Sequence, residues 1–191
     1  ADAHALRLEW IFETHAHADH LSAGDYLRRK LGARLAIEHA IVQVQAHFKT
    51  LFGWDDAFVP NGRQFDRLLG DDDVVKMGSR EIRTLATPGH TGDSLTYLIG
   101  DAAFIGDTLF APDLGSARCD FPGGNAAQLH TSIGRILALP EATRLFLCHD
   151  YPPQQREPTA QTSIAAQREC NIHVGRGVCA AEFVAMRDQV H

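Results

Sequence analysis

Thr14-His15-Ala16-His17-Ala18-Asp19-His20 is the run that decides the reading of this chain. It places three histidines and one aspartate within six residues. Leu6, Leu8, Trp10 and Phe12 alternate ahead of it, the period of a half-buried strand. The segment from His20 to Leu31 behind it reads as a helix, with Leu27 and Leu31 on one face, basic residues near its end and Gly32 to stop it. The run therefore sits on a strand-to-helix loop, where α/β folds place their sites. Neutral imidazole nitrogens and a carboxylate converging there suit zinc, iron or manganese.

Three later stretches repeat the design of a ligand-type residue at a strand exit. Thr87-Pro88-Gly89-His90-Thr91-Gly92-Asp93-Ser94 follows a strand-like segment over Glu81–Ala86 and presents His90 at a turn. Ile105-Gly106-Asp107-Thr108-Leu109-Phe110 follows two strand-like segments, Ser94–Ile99 and Ala102–Ile105, joined by a Gly100-Asp101 hairpin turn. Leu147-Cys148-His149-Asp150-Tyr151 closes a short apolar strand over residues 145–148. The repetition is the internal argument that these residues meet.

Between them, residues 35–52 contain a further helix, Asn61-Gly62 marks a turn, and Asp71-Asp72-Asp73 reads as a solvated loop. Asn125 caps a helix that aligns Leu129, Ile133, Ile136 and Leu137. Helices are expected over Thr159–Glu169 and near Ala180–Arg187. Strands and helices alternate with hairpins mixed in, which predicts an α/β class with a mixed sheet covered by helices.

Composition limits the partners. The chain has 191 residues, with 45% hydrophobic and 22% charged residues, ordinary values for one globular domain. Its net charge is −6 and no basic stripe appears, which argues against nucleic acid. No apolar run reaches the roughly 18 residues of a membrane span, and no signal peptide is visible. Cys119, Cys148, Cys170 and Cys179 show no C-x-x-C spacing and read as thiols in a reducing compartment, so a cytoplasmic location is expected. Cys148, on an apolar strand, reads as a core thiol.

The order His-x-His-x-Asp-His, then His90, Asp107 and His149, resembles the metallo-β-lactamase superfamily. The intervals of 75 positions from His15 to His90 and 17 from His90 to Asp107 fit its pattern. The run Gly106 to Phe110 is shared by the glyoxalase II-like and persulfide dioxygenase-like branches. Ala117-Arg118-Cys119-Asp120-Phe121 resembles the Arg-Thr-Asp-Phe run of the dioxygenases, with Cys119 in place of Thr. His149-Asp150-Tyr151 is similar to the same branch, where glyoxalase II-like enzymes tend to have His-Glu-Tyr. The likeness is strongest to bacterial persulfide dioxygenases of the β-lactamase-like hydrolase type, and it runs from about Trp10 to Met186.

That resemblance implies an αβ/βα sandwich with mixed sheets and the metal along one edge. It implies a mononuclear Fe(II) site on His15, His90 and Asp107, surrounded by His17, Asp19, His20 and His149, oxidising glutathione persulfide with O₂ to sulfite and glutathione. In the dinuclear zinc branches His17 joins His15 and His90 on one metal, Asp19, His20 and His149 hold a second, and Asp107 bridges. A zinc thioester hydrolase of glyoxalase II type is therefore the alternative, and a non-catalytic sulfur- or metal-sensing module a third. Arg118 and Tyr151 match positions that bind the glutathione part. Read from the residues alone, Arg118 also fits a surface salt bridge and Tyr151 a packed ring; the chemistry the resemblance implies would make Cys119 a carrier of a transient persulfide. The family's dimers imply a homodimer by analogy. About three strands, roughly 50 residues, normally precede the first motif. The expectation is a single domain over residues 1–191, shortened at both ends, with the N-terminal strands missing or short.

Overall fold

A computed structural model describes residues 6–17, 22–153 and 156–188. Among these residues the chain runs through β1 (Trp10–Phe12), α1 (Gly24–Leu31), β2 (Arg34–Glu38), α2 (Ile41–Phe52), β3 (Arg67–Leu69), β4 (Val74–Met77), β5 (Arg80–Ala86), β6 (Leu95–Ile99) and β7 (Ala102–Phe104). It continues through α3 (Ala126–Leu137), β8 (Arg144–Phe146), β9 (Gln161–Ser163), α4 (Ile164–Cys170) and α5 (Ala180–Asp188).

Two sheets result. The first is parallel, in the order β1-β2-β3, with Phe12 opposite Ala36 and Ala36 opposite Arg67. The second runs β4-β5-β6-β7-β8-β9 and is antiparallel except where β7 lies parallel to β8. Trp10, Ala36 and Leu69 from the first sheet pack on Val75, Ile82, Leu95 and Tyr97 from the second, so one core lies between the sheets. The other core lies on the far face of the second sheet. There Ala103, Ile105 and Leu145 meet Leu129, Ile133 and Ile136 of α3, Ile164 of α4 and Phe183 of α5. Helix α1 packs on β1 and β2. The layering is the expected αβ/βα sandwich.

Local chemistry explains several boundaries. Gly32 ends α1 in the left-handed region at φ 69°, with its N–H donating to the Arg28 carbonyl. Asn125 caps α3 by accepting from Gln128 N at 2.9 Å, and the buried face of α3 is the one its leucine and isoleucine spacing predicts. Gly100, at φ 61°, turns the β6–β7 hairpin.

Three expectations need correcting. Of the alternating segment from Leu6 to Phe12, only Trp10–Phe12 is strand, paired through Trp10 with Arg34. The predicted Thr159–Glu169 helix starts later. Gln161–Ser163 instead form edge strand β9 on β8, and the helix begins at Ile164, where Ser163 caps it by accepting from Ala166 N. The Asp71–Asp73 stretch is an exposed turn, as expected of a solvated loop, and its side chains tie it in place. Asp71 accepts from Ala86 N and from Arg135, and Asp73 accepts from Gly70 N. These bonds hold the Asp71 carboxyl below the usual range against the opposing pull of burial. Cys148 is exposed rather than a core thiol, because the strand ends at Phe146 and the chain has already turned outward.

Candidate metal centre

The first ligand run leaves β1 and is tied at once to the second sheet. Leu95 N donates to the Thr14 carbonyl at 2.8 Å, and the Tyr97 hydroxyl donates to the Glu13 carbonyl at 2.7 Å. Ala16 N donates to Asp93 Oδ2 at 3.1 Å. Asp93 is fully buried, and that burial raises its pKa. Gly106 lets the two strand exits touch: at φ 53° it would place a Cβ 3.0 Å from that of Thr14. His90 is presented by Gly89, which packs on the first turn of α3, while Ser132 of α3 donates to the Pro88 carbonyl at 2.6 Å. Asp107 follows the exit of β7, and His149 the exit of β8.

These four exits converge on Asp107. Its Oδ2 lies 3.7 Å from His15 Nε2, 3.6 Å from His90 Nε2 and 3.5 Å from His149 Nε2. His17 Nδ1 lies 3.0 Å from His90 Nε2, and ligand atoms of His15, His17 and His90 all lie within 4.8 Å of one another. His15, His90 and Asp107 are 2%, 4% and 6% exposed, so the donors are screened from bulk water. The structure thus brings together His15, His17, His90, Asp107 and His149. Asp19 and His20 lie outside the described residues.

Outer contacts aim the rings. His90 Nδ1 is 2.7 Å from the Arg118 carbonyl, which can only accept, so the proton sits on Nδ1 and the Nε2 lone pair faces Asp107. His15 Nδ1 is 3.1 Å from Thr14 Oγ1, again on the side away from the carboxylate. Two ligands about 2.1 Å from one metal stand roughly 3.0 Å apart at right angles and about 3.4 Å apart at the tetrahedral angle. The observed separations of 3.0–3.7 Å match that spacing. The residues fit a metal cofactor.

A cleft of about 500 Å³ opens over the centre, with His17, His90, Asp107 and His149 reaching its surface. Arg118 and Tyr151 line it. Arg118 is also the salt bridge that its sequence context allowed. Its Nε and Nη2 donate to Asp120 at 2.7 and 2.6 Å, which raises its pKa, and its guanidinium lies 4.6 Å above the Phe121 ring. Tyr151 is an exposed ring stacked on His149, with centroids 5.6 Å apart. Cys119 is half-buried against the α3–α5 core, and burial pushes its thiol pKa up.

Two features were not anticipated. His173 and Arg187 enter the same cleft from the C-terminal segment, where no motif flags them. A second, apolar hollow of about 680 Å³, lined by Phe48, Phe52, Trp54 and Phe58, meets the first at His17 and Phe121. Its signal was the aromatic spacing in residues 48–58, which reads equally as core.

With this geometry in place, comparison with known proteins is decisive. Residues 1–149 match the family described as the metallo-beta-lactamase superfamily. The chain belongs to that superfamily. It is 47% identical over 186 residues to glyoxylase B2 of Dictyostelium discoideum, covering 96% of this chain and 64% of that protein. It is 48% identical over 185 residues to a beta-lactamase hydrolase-like protein of Agrobacterium fabrum, covering 97% of this chain and 42% of that protein. The chain thus spans less than two thirds of each of these relatives. Among solved structures it resembles ETHE1 from Myxococcus xanthus, with a TM-score of 0.77 and 32% identity over 100% of this chain and 72% of that one. The family match and the donor cluster together support a bound metal at this centre. Among the described residues no helix is long and apolar enough to cross a membrane.

Proposed function

We propose that this chain carries the catalytic centre of a persulfide dioxygenase. The supporting observation is the placement of Asp107 Oδ2 at 3.6–3.7 Å from the Nε2 atoms of both His15 and His90. Two imidazoles and one carboxylate would hold a metal there and leave it positions for substrate and dioxygen. The likeness to ETHE1, of the persulfide dioxygenase branch, over the full chain supports the same reading. A ferrous ion bound there would supply open positions for dioxygen and the redox chemistry that zinc lacks.

The chain's own groups bind, orient and shield. Thr14 and the Arg118 carbonyl fix the faces of His15 and His90. Phe121 packs against His17, with ring centroids 4.3 Å apart, and walls the cleft beside the donors. The substrate is a low-molecular-weight persulfide such as glutathione persulfide. Its terminal sulfur takes both atoms of O₂ and one oxygen from water, the S–S bond breaks, and sulfite and the thiol leave.

One observation favours a second reading. His17 stands within hydrogen-bond distance of His90, and His149 reaches Asp107 from the other side, so the donors also suit a zinc hydrolase acting on a thioester. The names glyoxylase and hydrolase-like of the two relatives agree with it. Oxygen uptake on adding glutathione persulfide to anaerobically iron-loaded protein separates the two. Rapid uptake with sulfite formation, lost in His90→Ala, is expected. Absence of uptake, with zinc-loaded protein hydrolysing S-lactoylglutathione, would sink the dioxygenase reading.

A further inference from the structure

His173 and Arg187 form a pair whose hydrogen-bond roles conflict. His173 Nδ1 lies 2.8 Å from Ser116 N, which can only donate, so Nδ1 is the unprotonated nitrogen of the ring. Gly115 makes that approach possible, since a Cβ there would fall 2.1 Å from His173 Nδ1. A neutral ring with Nδ1 accepting carries its proton on Nε2. Nε2 lies 3.4 Å from Arg187 Nη2, which is also a donor. Two N–H groups therefore face one another with no acceptor between them.

Among the described residues the other hydrogen bonds of the guanidinium go to backbone carbonyls. Its Nη1 is 3.2 Å from the carbonyls of both Ser116 and Ala117, and among the described residues its buried Nε has no hydrogen-bond partner. Among the described residues no carboxylate stands within ion-pair distance of it, whereas Arg118 in the same cleft is already matched by Asp120. Arginine keeps its charge in such a setting. Among the described residues the cleft thus holds one cation matched by a carboxylate, Arg118, and one without a carboxylate partner, Arg187, flanked by an imidazole N–H. Both members of the second pair line the cleft that holds His90 and Asp107.

We propose that Arg187 and His173 together bind a carboxylate of the substrate, and that this pair, rather than Arg118, selects for a carboxylate-bearing thiol derivative. A carboxylate placed there supplies the acceptor that both N–H groups lack. The inference rests on the persulfide reading only for the sulfur chemistry. The binding step is measured without turnover.

The test uses the metal-loaded full chain and titration calorimetry with S-methylglutathione and its diethyl ester, which masks both carboxylates. The unaltered protein is expected to prefer the acid over the ester. Arg187→Met should weaken acid binding roughly tenfold to a hundredfold, the range of a charge-assisted contact, and leave ester binding unchanged. Arg187→Lys, which keeps the charge but not the fork, should recover part of the loss. Arg118→Gln should cost less than Arg187→Met. Equal affinity of the unaltered protein for acid and ester overturns the proposal. So does an Arg187→Met protein that keeps its preference, or that loses acid and ester alike as a merely structural role for Arg187 would require. Oxygen uptake on the same samples reports separately: a preserved, Arg187-dependent preference without uptake defeats the dioxygenase reading and leaves this inference standing.

Discussion

Replacing Gly89 by alanine tests whether the His90 turn is seated on α3 as described. Gly89 has φ 136°, and a Cβ built on it falls 2.3 Å from Leu129 N and 2.4 Å from Leu129 Cα. Those are backbone atoms inside the buried face of α3, so no rotamer change relieves the overlap. The dihedral alone costs about 1–3 kcal/mol for a residue with a side chain. Forcing a methyl group into packed structure adds roughly 1–3 kcal/mol. A total near 4 kcal/mol lowers the melting temperature of a chain this size by about 8–16 °C. The displacement also moves His90, whose neighbour Asn125 donates its N–H to the Gly89 carbonyl at 2.8 Å. Weaker metal retention should therefore accompany the lost stability. Gly100→Ala is the matched control, since φ is 61° there but nothing lies within 4 Å, and it should cost only about 1–2 kcal/mol. Denaturant unfolding of both variants, with metal content after dialysis, reads the difference. Equal stability of the two, with full metal in Gly89→Ala, would refute the packing of this turn on α3.

Three further outcomes follow from the same structure. Leu145→Ala, at a fully buried position on β8, should destabilise by about 3–4 kcal/mol in urea unfolding. Asn125→Ala removes the acceptor for Gln128 N and should cost about 1 kcal/mol, readable as a small fall in melting temperature. His173 sits at a pKa of about 4, below its usual 6.5, because burial first and Arg187 second disfavour its charged form. The unfolded chain therefore takes up that proton first. The stability this group contributes is complete above about pH 6.5 and is lost as the pH falls toward 4. The full shift corresponds to roughly 3 kcal/mol, which the half-exposed ring reduces to about 1–2 kcal/mol. Stability curves of the unaltered protein and His173→Gln should accordingly converge across that window, and parallel curves would show that His173 does not titrate this way.

Legibility followed the physics of each element. Asn125, Gly32 and Gly100 act through their own backbone or side chain on near neighbours, so α3, the end of α1 and the β6–β7 turn could be read directly. Strands β3, β4 and β9 were missed because three or four residues carry too little periodicity, and β2 because its run Leu35–Glu38 is buried throughout and shows no alternation. Arg67–Leu69 and Gln161–Ser163 become strands only because β2 and β8 offer them partners. The ligand-type residues at His15, His17, His90, Asp107 and His149 were legible as dense polar runs after apolar strands. Which of them touch was not, since the 3.0 Å approach of His17 to His90 depends on how two sheets stack. His173 and Arg187 were invisible because their meaning lies in a tautomer set by Ser116 N, a contact across 57 positions.

The donor cluster straddles the seam between the two layers. His15 and His17 leave the three-stranded sheet, whereas His90, Asp107 and His149 leave the six-stranded one. A cation held by both groups is a rivet through the sandwich as much as a reagent. Occupancy at a hundredfold excess over the dissociation constant would add about 2.7 kcal/mol of resistance to unfolding. Supply of the metal and mechanical integrity of the sandwich are then the same variable, and a cell that withholds the ion would release a chain softened along that seam.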